Sequence, residues 1–217
     1  MSEYLSEEWR RERLGIITAS RMARVTNGTP KGWLSFMQLL KAEVDNPERI
    51  LSSKPLAVPA LEHGQETEDQ CKANIELDLG IELEPVEFTL HPKIPYIGAT
   101  SDFLCDYNGA RWNGEIKCPL KLENHVEVLT QKRVPNKYVP QVQCQMAVHG
   151  LDRTLFASYY HDMPDPSMRL VVIEVPIDRD YQQMMLSRCA KFWDDFQEFC
   201  RNGGVLPLTP ARTPQRF

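Results

Sequence analysis

Residues 97–119 read IGATSDFLCDYNGARWNGEIKCP, and the fold turns on how that stretch pairs with itself. Asn108-Gly109 sits between two short apolar-aromatic runs. A tight type I′ turn needs positive φ at both central residues, which Asn and Gly adopt most readily. With these two as the loop, paired positions sum to 217, so Asp102 falls directly opposite Glu115. Opposed side chains on one sheet face lie about 5 Å apart at Cβ. Lys117, two residues beyond Glu115, projects from the same face. Two carboxylates so placed repel each other, and a divalent cation between them removes that cost. With a lysine on the same patch, the arrangement suits metal-dependent phosphodiester cleavage. Taken alone, such a trio across a hairpin is more often a solvated face with cross-strand ion pairs. The neighbouring Ile97, Phe103, Leu104, Cys105, Ile116 and Cys118 favour a buried setting, where charges seldom enter without a partner or a metal.

A chain of 217 residues is read as a single domain with enough sequence for a sizeable core. No stretch approaches the roughly 20 apolar residues of a membrane span, and the N-terminus lacks the apolar region of a signal peptide. The six cysteines are scattered, with no CxxC pair, which speaks against a zinc site or an iron–sulfur cluster and for reduced thiols in a cytoplasm. The net charge of −5 is unevenly distributed. Between Trp9 and Trp33 six basic residues (Arg10, Arg11, Arg13, Arg21, Arg24, Lys31) face one acid, Glu12, and residues 201–217 hold three arginines and no acid. Such segregation suits a positive groove on an acidic body, although a charge run is more often a solvated helix face.

The spacing predicts a short helix over Ser6–Arg13, ended by Gly15, and a second from Thr18-Ala19-Ser20 to about Val25. Hydroxyls at a helix start with arginines nearby form a ready phosphate site, with Arg13, Ser20 and Arg21 as candidates; simple capping by Thr18 or Ser20 is the plainer alternative. A helix is expected over Trp33–Val44, irregular chain over 46–59, and a long acidic helix over Ala60–Leu79. A strand at Val86–Leu90 precedes the hairpin, giving three antiparallel strands. Helices then follow at Leu122–Thr130 and Tyr138–Val148, strands at Leu155–Tyr160 and Leu170–Val175, and a closing helix at Asp178–Cys200. In that helix Met184, Met185, Phe192, Trp193 and Phe196 are assigned to the core. Tyr138, Gln141 and Gln145 share one helix face. The tail after Arg201 is Pro-rich and basic.

This order, with D-(x)12-E-x-K on the hairpin, resembles the PD-(D/E)xK nuclease superfamily, and more closely the lambda exonuclease/YqaJ-type phage recombination nucleases. Five motifs match in order across residues 13–148. They are Arg13-x6-Ser20, His63-Gly64-x3-Glu68, Asp102, the GEIKCP stretch holding Glu115 and Lys117, and Tyr138-x2-Gln141-Val142-Gln143. Ser101 stands where the superfamily often has proline. The resemblance implies an α/β restriction-endonuclease-like core, a central mixed β-sheet flanked by helices, with an N-terminal helical segment. It divides the single domain 1–217 into a helical DNA-end-binding portion (1–58), a catalytic core (59–200) and the tail (201–217).

It further implies a catalytic set of Asp102, Glu115, Lys117, Glu68 and Gln141. Mg²⁺ would be held by Asp102, Glu115, the Ile116 carbonyl and Glu68, with two ions per site and Mn²⁺ able to substitute. Lys117 would orient or deprotonate the attacking water, its pKa lowered by the nearby metals. Arg13, Ser20 and Arg21 would hold a 5′-phosphate. The implied activity is 5′→3′ digestion of linear double-stranded DNA to 5′-mononucleotides by a ring-shaped homotrimer. The 3′ overhang would pass to a phage-type single-strand annealing protein in the bacterial cytoplasm, with the gene carried by a phage or prophage. An endonuclease of the same fold and a non-catalytic DNA-binding module are the alternatives.

Overall fold

The computed structural model describes residues 6–53 and 59–204, with the side chains of 59–66 left aside. The expectations for the tail beyond 204, for residues 54–58 and for the His63 side chain lie outside the described residues. The Asn108-Gly109 turn forms as the sequence indicates, with φ of 50° and 71°. It joins β4 (Phe103–Tyr107) to β5 (Ala110–Lys117) in a ladder running from Tyr107↔Ala110 to Phe103↔Gly114. β5 is central, paired in parallel with β6 (Arg153–Tyr159), which pairs antiparallel with β7 (Leu170–Pro176). Because both faces of β5 are covered, every residue from Trp112 to Ile116 is buried and the polar–apolar alternation of a half-exposed strand is lost.

The strands ahead of the hairpin differ from expectation. The strand placed at Val86–Leu90 is β2 (Thr89–His91), and Ile94–Ala99, read as part of the hairpin, is a separate strand, β3. β3 pairs antiparallel with β2 and in parallel with a two-residue strand, β1 (Ile17–Thr18), in a second sheet of order β1-β3-β2. Thr100 to Asp102 therefore links two sheets, and the residues opposite Glu115 come from that link.

Helices cover both sheets. α1 (Glu7–Arg11) is capped by the Ser6 hydroxyl, which accepts from Trp9 N–H at 3.0 Å. Gly15 ends this segment in the left-handed region at φ 70°. The second predicted helix is a single 3-10 turn, Ala19–Arg21, leading into α2 (Met22–Thr26). α3 (Pro30–Asp45) begins on a Thr29 cap, and the chain after it, expected to be irregular, opens with a short helix α4 (Pro47–Ser52) that Pro47 starts. α5 spans Pro59–Leu79, α6 Leu122–Gln131, α7 Val139–His149 and α8 Arg179–Arg201. Among the described residues no helix is long and apolar enough to cross a membrane.

Three apolar clusters hold these layers. Phe36, Leu40, Met22, Ile97, Met185 and Phe192 join the N-terminal helices to β3, α7 and α8. Phe36 stacks on Phe192 and Trp33 meets it edge-on, both at 5.3 Å between centroids. α5 packs Cys71 and Ile75 against Phe103, Trp112 and Ile116 on one face of the hairpin, and α6 and α7 pack Val128 and Val142 against Phe156 on the other. Of the α8 residues assigned to the core, Met184 is exposed at 40% and Trp193 only half-buried, because the apolar stripe that α8 turns toward α2, α3 and α7 is narrower than its count of large side chains.

Gly114 is the close-approach point of the hairpin. A Cβ built there would fall within the ring of its partner Phe103. Gly114→Ala is expected to destabilise the fold by about 1–3 kcal/mol through overpacking, read as a lower urea midpoint at unchanged slope.

Candidate active site

β5 sends alternate side chains to opposite sides, so Ile116 enters the cluster under α5 while Glu115 and Lys117 face α7. Glu115 is 2% exposed. Its Oε1 accepts from Lys117 Nζ and, at 2.6 Å, from Gln141 Nε2. Its Oε2 accepts from Gln145 Nε2. Lys117 also lies 5.1 Å above the Tyr138 ring. Gln141 and Gln145, one turn apart on α7, thus meet the same carboxylate from one helix face.

Asp102 arrives one residue beyond the last ladder pair. Its N–H donates to Gly114 O at 2.9 Å and its Oδ2 accepts from Ile116 N–H at 2.5 Å, so the carboxylate caps β5 where a paired strand would have continued. The link holding it is tied down on both sides. Ser101 accepts from Asn113 Nδ2 at 3.3 Å, and Asn113 Oδ1 accepts from Thr154 at 2.9 Å. Burial, and then the charge of Glu115, push the Asp102 carboxyl well above the ordinary aspartate range. Burial alone would lower the Lys117 pKa, but Glu115 and Asp102 more than offset it and raise the ammonium above its ordinary value.

Two mutually repelling carboxylates, Glu115 buried and Asp102 half-buried, with an adjacent backbone carbonyl, Ile116, form a hard oxygen donor set that fits Mg²⁺ or Mn²⁺. Among the described residues, no three of the His, Cys, Asp and Glu side chains are already gathered as a preformed cage. Glu68, on α5, is near enough to Asp102 to raise its pKa, yet its Oε1 is paired with Lys72 Nζ at 2.7 Å. Beside Lys117 a shallow cleft runs between Pro119, Asn124, Glu127, Lys137 and Tyr138.

The candidate phosphate residues are placed differently from one another. Ser20 is exposed, its hydroxyl 3.2 Å from that of Thr18, and neither caps the helix turn. Arg13 is 8% exposed, its guanidinium between the Trp9 and Phe88 rings and donating to Trp9 O and, at 2.7 Å, to Thr100 Oγ1. Arg21 forms a two-point ion pair with Glu43, which is 3% exposed and also accepts from Gly15 N–H. Arg10 binds the last carbonyls of α4, and Arg11 pairs with Glu48 and Glu7. Most of this basic segment therefore staples the N-terminal helices together and to the link before Asp102, which spacing could not reveal because the partners lie up to 87 residues away. Arg21→Ala is expected to cost about 3 kcal/mol by leaving the Glu43 charge buried and unpaired, measured as a loss in unfolding free energy.

Gln143, inside the glutamine motif, turns away from the site. It donates to Pro176 O at 3.1 Å and accepts from Asp178 N–H at 3.1 Å, joining α7 to the start of α8. Gln145 is the site residue that the sequence placed on the right helix face without indicating its partner.

A family model described as a YqaJ-like viral recombinase domain matches residues 8–152, a span that contains Arg13, Glu68, the hairpin and α7. Among solved structures, an alkaline exonuclease (LHK-Exo) from Laribacter hongkongensis is 26% identical, superposes with a TM-score of 0.74, and is matched over 93% of this chain and 100% of its own. The same protein in complex with dAMP superposes equally well. A phage related exonuclease from Haemophilus somnus 129PT shares the fold at 13% identity and a TM-score of 0.68, over 87% of this chain and 96% of its own. A search of curated protein sequences found no match. Matched by that family model over residues 8–152 and built on a nuclease-like α/β core, this chain belongs to the YqaJ-like viral recombinase family.

Proposed function

We propose that this protein is a Mg²⁺-dependent exonuclease that digests linear double-stranded DNA in the 5′→3′ direction, releases 5′-mononucleotides and leaves a 3′ overhang. The observation that carries the proposal is the convergence of Glu115, Lys117 and Gln141 in one hydrogen-bonded group beside Asp102. Phage-type DNA exonuclease activity is in keeping with the family match and with the similarity to LHK-Exo, and Mg²⁺, polarity and product are the further steps proposed here.

Asp102, Glu115 and the Ile116 carbonyl would hold the metal, with Glu68 joining directly or through water once it exchanges its Lys72 partner. When bound, the metal supplies electrostatic stabilisation to the attacking and leaving oxygens of an in-line displacement. Cation binding would relieve the attraction of the two carboxylates that now holds Lys117 protonated. Lys117 would then be able to orient the attacking water and accept its proton. Gln141 donates to Glu115 Oε1 and would turn its amide to the water or the scissile phosphate. Lys137, its ammonium 4.8 Å from the Tyr138 ring centroid, would contact the DNA backbone along the cleft.

The 5′-phosphate would sit at Ser20. Ser20 lies in the turn directly after β1, which pairs Thr18 with Gly98, and Thr100, two residues beyond Gly98, takes the Arg13 guanidinium on its hydroxyl. Arg13 would supply charge there, and Arg21 would contribute only by sharing its bond to Glu43. A homotrimeric ring threading the duplex, and delivery of the overhang to a single-strand annealing protein, complete the proposal.

Duplex DNA labelled at the 5′ or the 3′ end, with either a phosphate or a hydroxyl at the 5′ terminus, tests polarity and end recognition. The 5′ label should be released first as a mononucleotide, and more slowly from the hydroxyl end. Early release of 3′ label would overturn the polarity.

A further inference from the structure

Gln145 is 0% exposed, and its amide nitrogen makes two hydrogen bonds, to Glu115 Oε2 and, at 3.1 Å, to Thr100 O. Its Oε1 is buried with no hydrogen-bond partner. Chemistry fixes the orientation of this amide, since turning it over would set Oε1 against a carboxylate oxygen and a carbonyl oxygen, acceptor against acceptor. An unsatisfied buried acceptor is costly, and what this orientation keeps in return is the two bonds of the amide nitrogen. Strain of that kind concentrates where a geometry must be held.

The two oxygens of Glu115 are held unequally. Oε1 is shared by Lys117 and Gln141, both partly exposed and able to move. Oε2 is held by Gln145 at the floor of the site. The second Gln145 bond reaches the Thr100 carbonyl, two residues before Asp102 and in the link between the two sheets. One NH₂ group therefore bridges the strand that carries Glu115 and the link that carries Asp102.

On the metal reading proposed above, we infer that Gln145 is a positioning residue for the cation site. Its buried amide pins Glu115 Oε2 and the Thr100 carbonyl, sets the spacing between the Glu115 and Asp102 carboxylates, and leaves Glu115 Oε1 to turn toward the metal. Gln143 supplies an internal control. It is a buried amide on the same helix, and its bonds lead to Pro176 and Asp178, away from the carboxylates.

Calorimetric titration of Mn²⁺ into the DNA-free protein, together with the thermal unfolding midpoint, separates positioning from structure. Gln145→Met keeps the side-chain length and removes the donor; it is expected to weaken Mn²⁺ binding about 10-fold or more, the usual effect of losing a group that orients a metal ligand. Its metal-free melting temperature should fall as well, because Glu115 Oε2 and the Thr100 carbonyl lose their donor, so the metal affinity is compared with that of an equally buried amide away from the carboxylates. Gln143→Met should lower the melting temperature and leave Mn²⁺ affinity unchanged. Gln145→Asn, milder on the core, should weaken binding in the same direction by a smaller factor. Wild-type affinity in both Gln145 variants, or equal loss in Gln143→Met, overturns the inference while leaving the nuclease proposal standing. A wild-type protein that takes up no Mn²⁺ overturns the metal reading, and this inference with it.

Discussion

Lys117→Ala is expected to lower the rate of DNA hydrolysis by about 10³-fold, within the range that a positioned acid–base group contributes, while the protein stays folded. On the proposed mechanism Lys117 has two roles in this site, and the variant separates them. In the metal-free protein its ammonium compensates two carboxylates, donating to Glu115 Oε1 and attracted by Asp102. Removing it leaves Asp102 and Glu115 facing each other with less compensation, so the metal-free melting temperature should fall. Added Mg²⁺ restores that compensation, and its stabilising effect should therefore be larger in Lys117→Ala than in the wild type. Activity, in contrast, should not return at any Mg²⁺ concentration. Recovery of the rate at high Mg²⁺ would mean that Lys117 acts only on charge balance and has no part in handling the water.

Asp102→Asn should have the opposite signature. The substitution keeps an oxygen to accept from Ile116 N–H and removes the negative charge. In the wild type that charge is disfavoured, first by burial and then by Glu115. The variant should accordingly melt at a higher temperature than the wild type in the presence of a chelator. It should also lose Mn²⁺ binding, and with it hydrolysis, by a factor of about 10³ or more, since the metal-held charge stabilisation is usually the largest contribution to such a reaction. A gain in stability coupled to loss of function marks a group kept for chemistry. If Asp102→Asn is less stable than the wild type without metal, the two carboxylates do not repel each other as the structure indicates.

The sequence made the hairpin legible because Asn108-Gly109 admits few other conformations, and a two-residue turn fixes every pair beyond it. The pairing held as far as Phe103↔Gly114. Asp102, one step further, leaves the ladder and caps Ile116, an outcome that pair counting cannot supply because it depends on a second sheet claiming Ile94–Ala99. β1 escaped notice for the related reason that two residues carry no periodicity, and only the pairing of Ile17 with Ile97 makes them a strand. α7 was legible through Pro140 and the spacing of Gln141 and Gln145, but nothing local distinguishes Gln145, at Glu115, from Gln143, at Pro176. The arginines of the N-terminal segment were legible as charge and not as partners. Glu43 lies on α3 among residues whose spacing gave no reason to bury an acid, yet it binds both Arg21 and Gly15 N–H.

Incubation of the purified protein with a mixture of linear duplex and covalently closed circular DNA, with Mg²⁺ or with a chelator, is the most direct test of the central claim. Complete loss of the linear species to mononucleotides, Mg²⁺-dependent and with the circles intact, is the predicted result. Nicked or linearised circles would place the protein among endonucleases of this fold, and DNA binding without cleavage of either species under Mg²⁺ would contradict the assignment of Asp102, Glu115 and Lys117 as a working nuclease site.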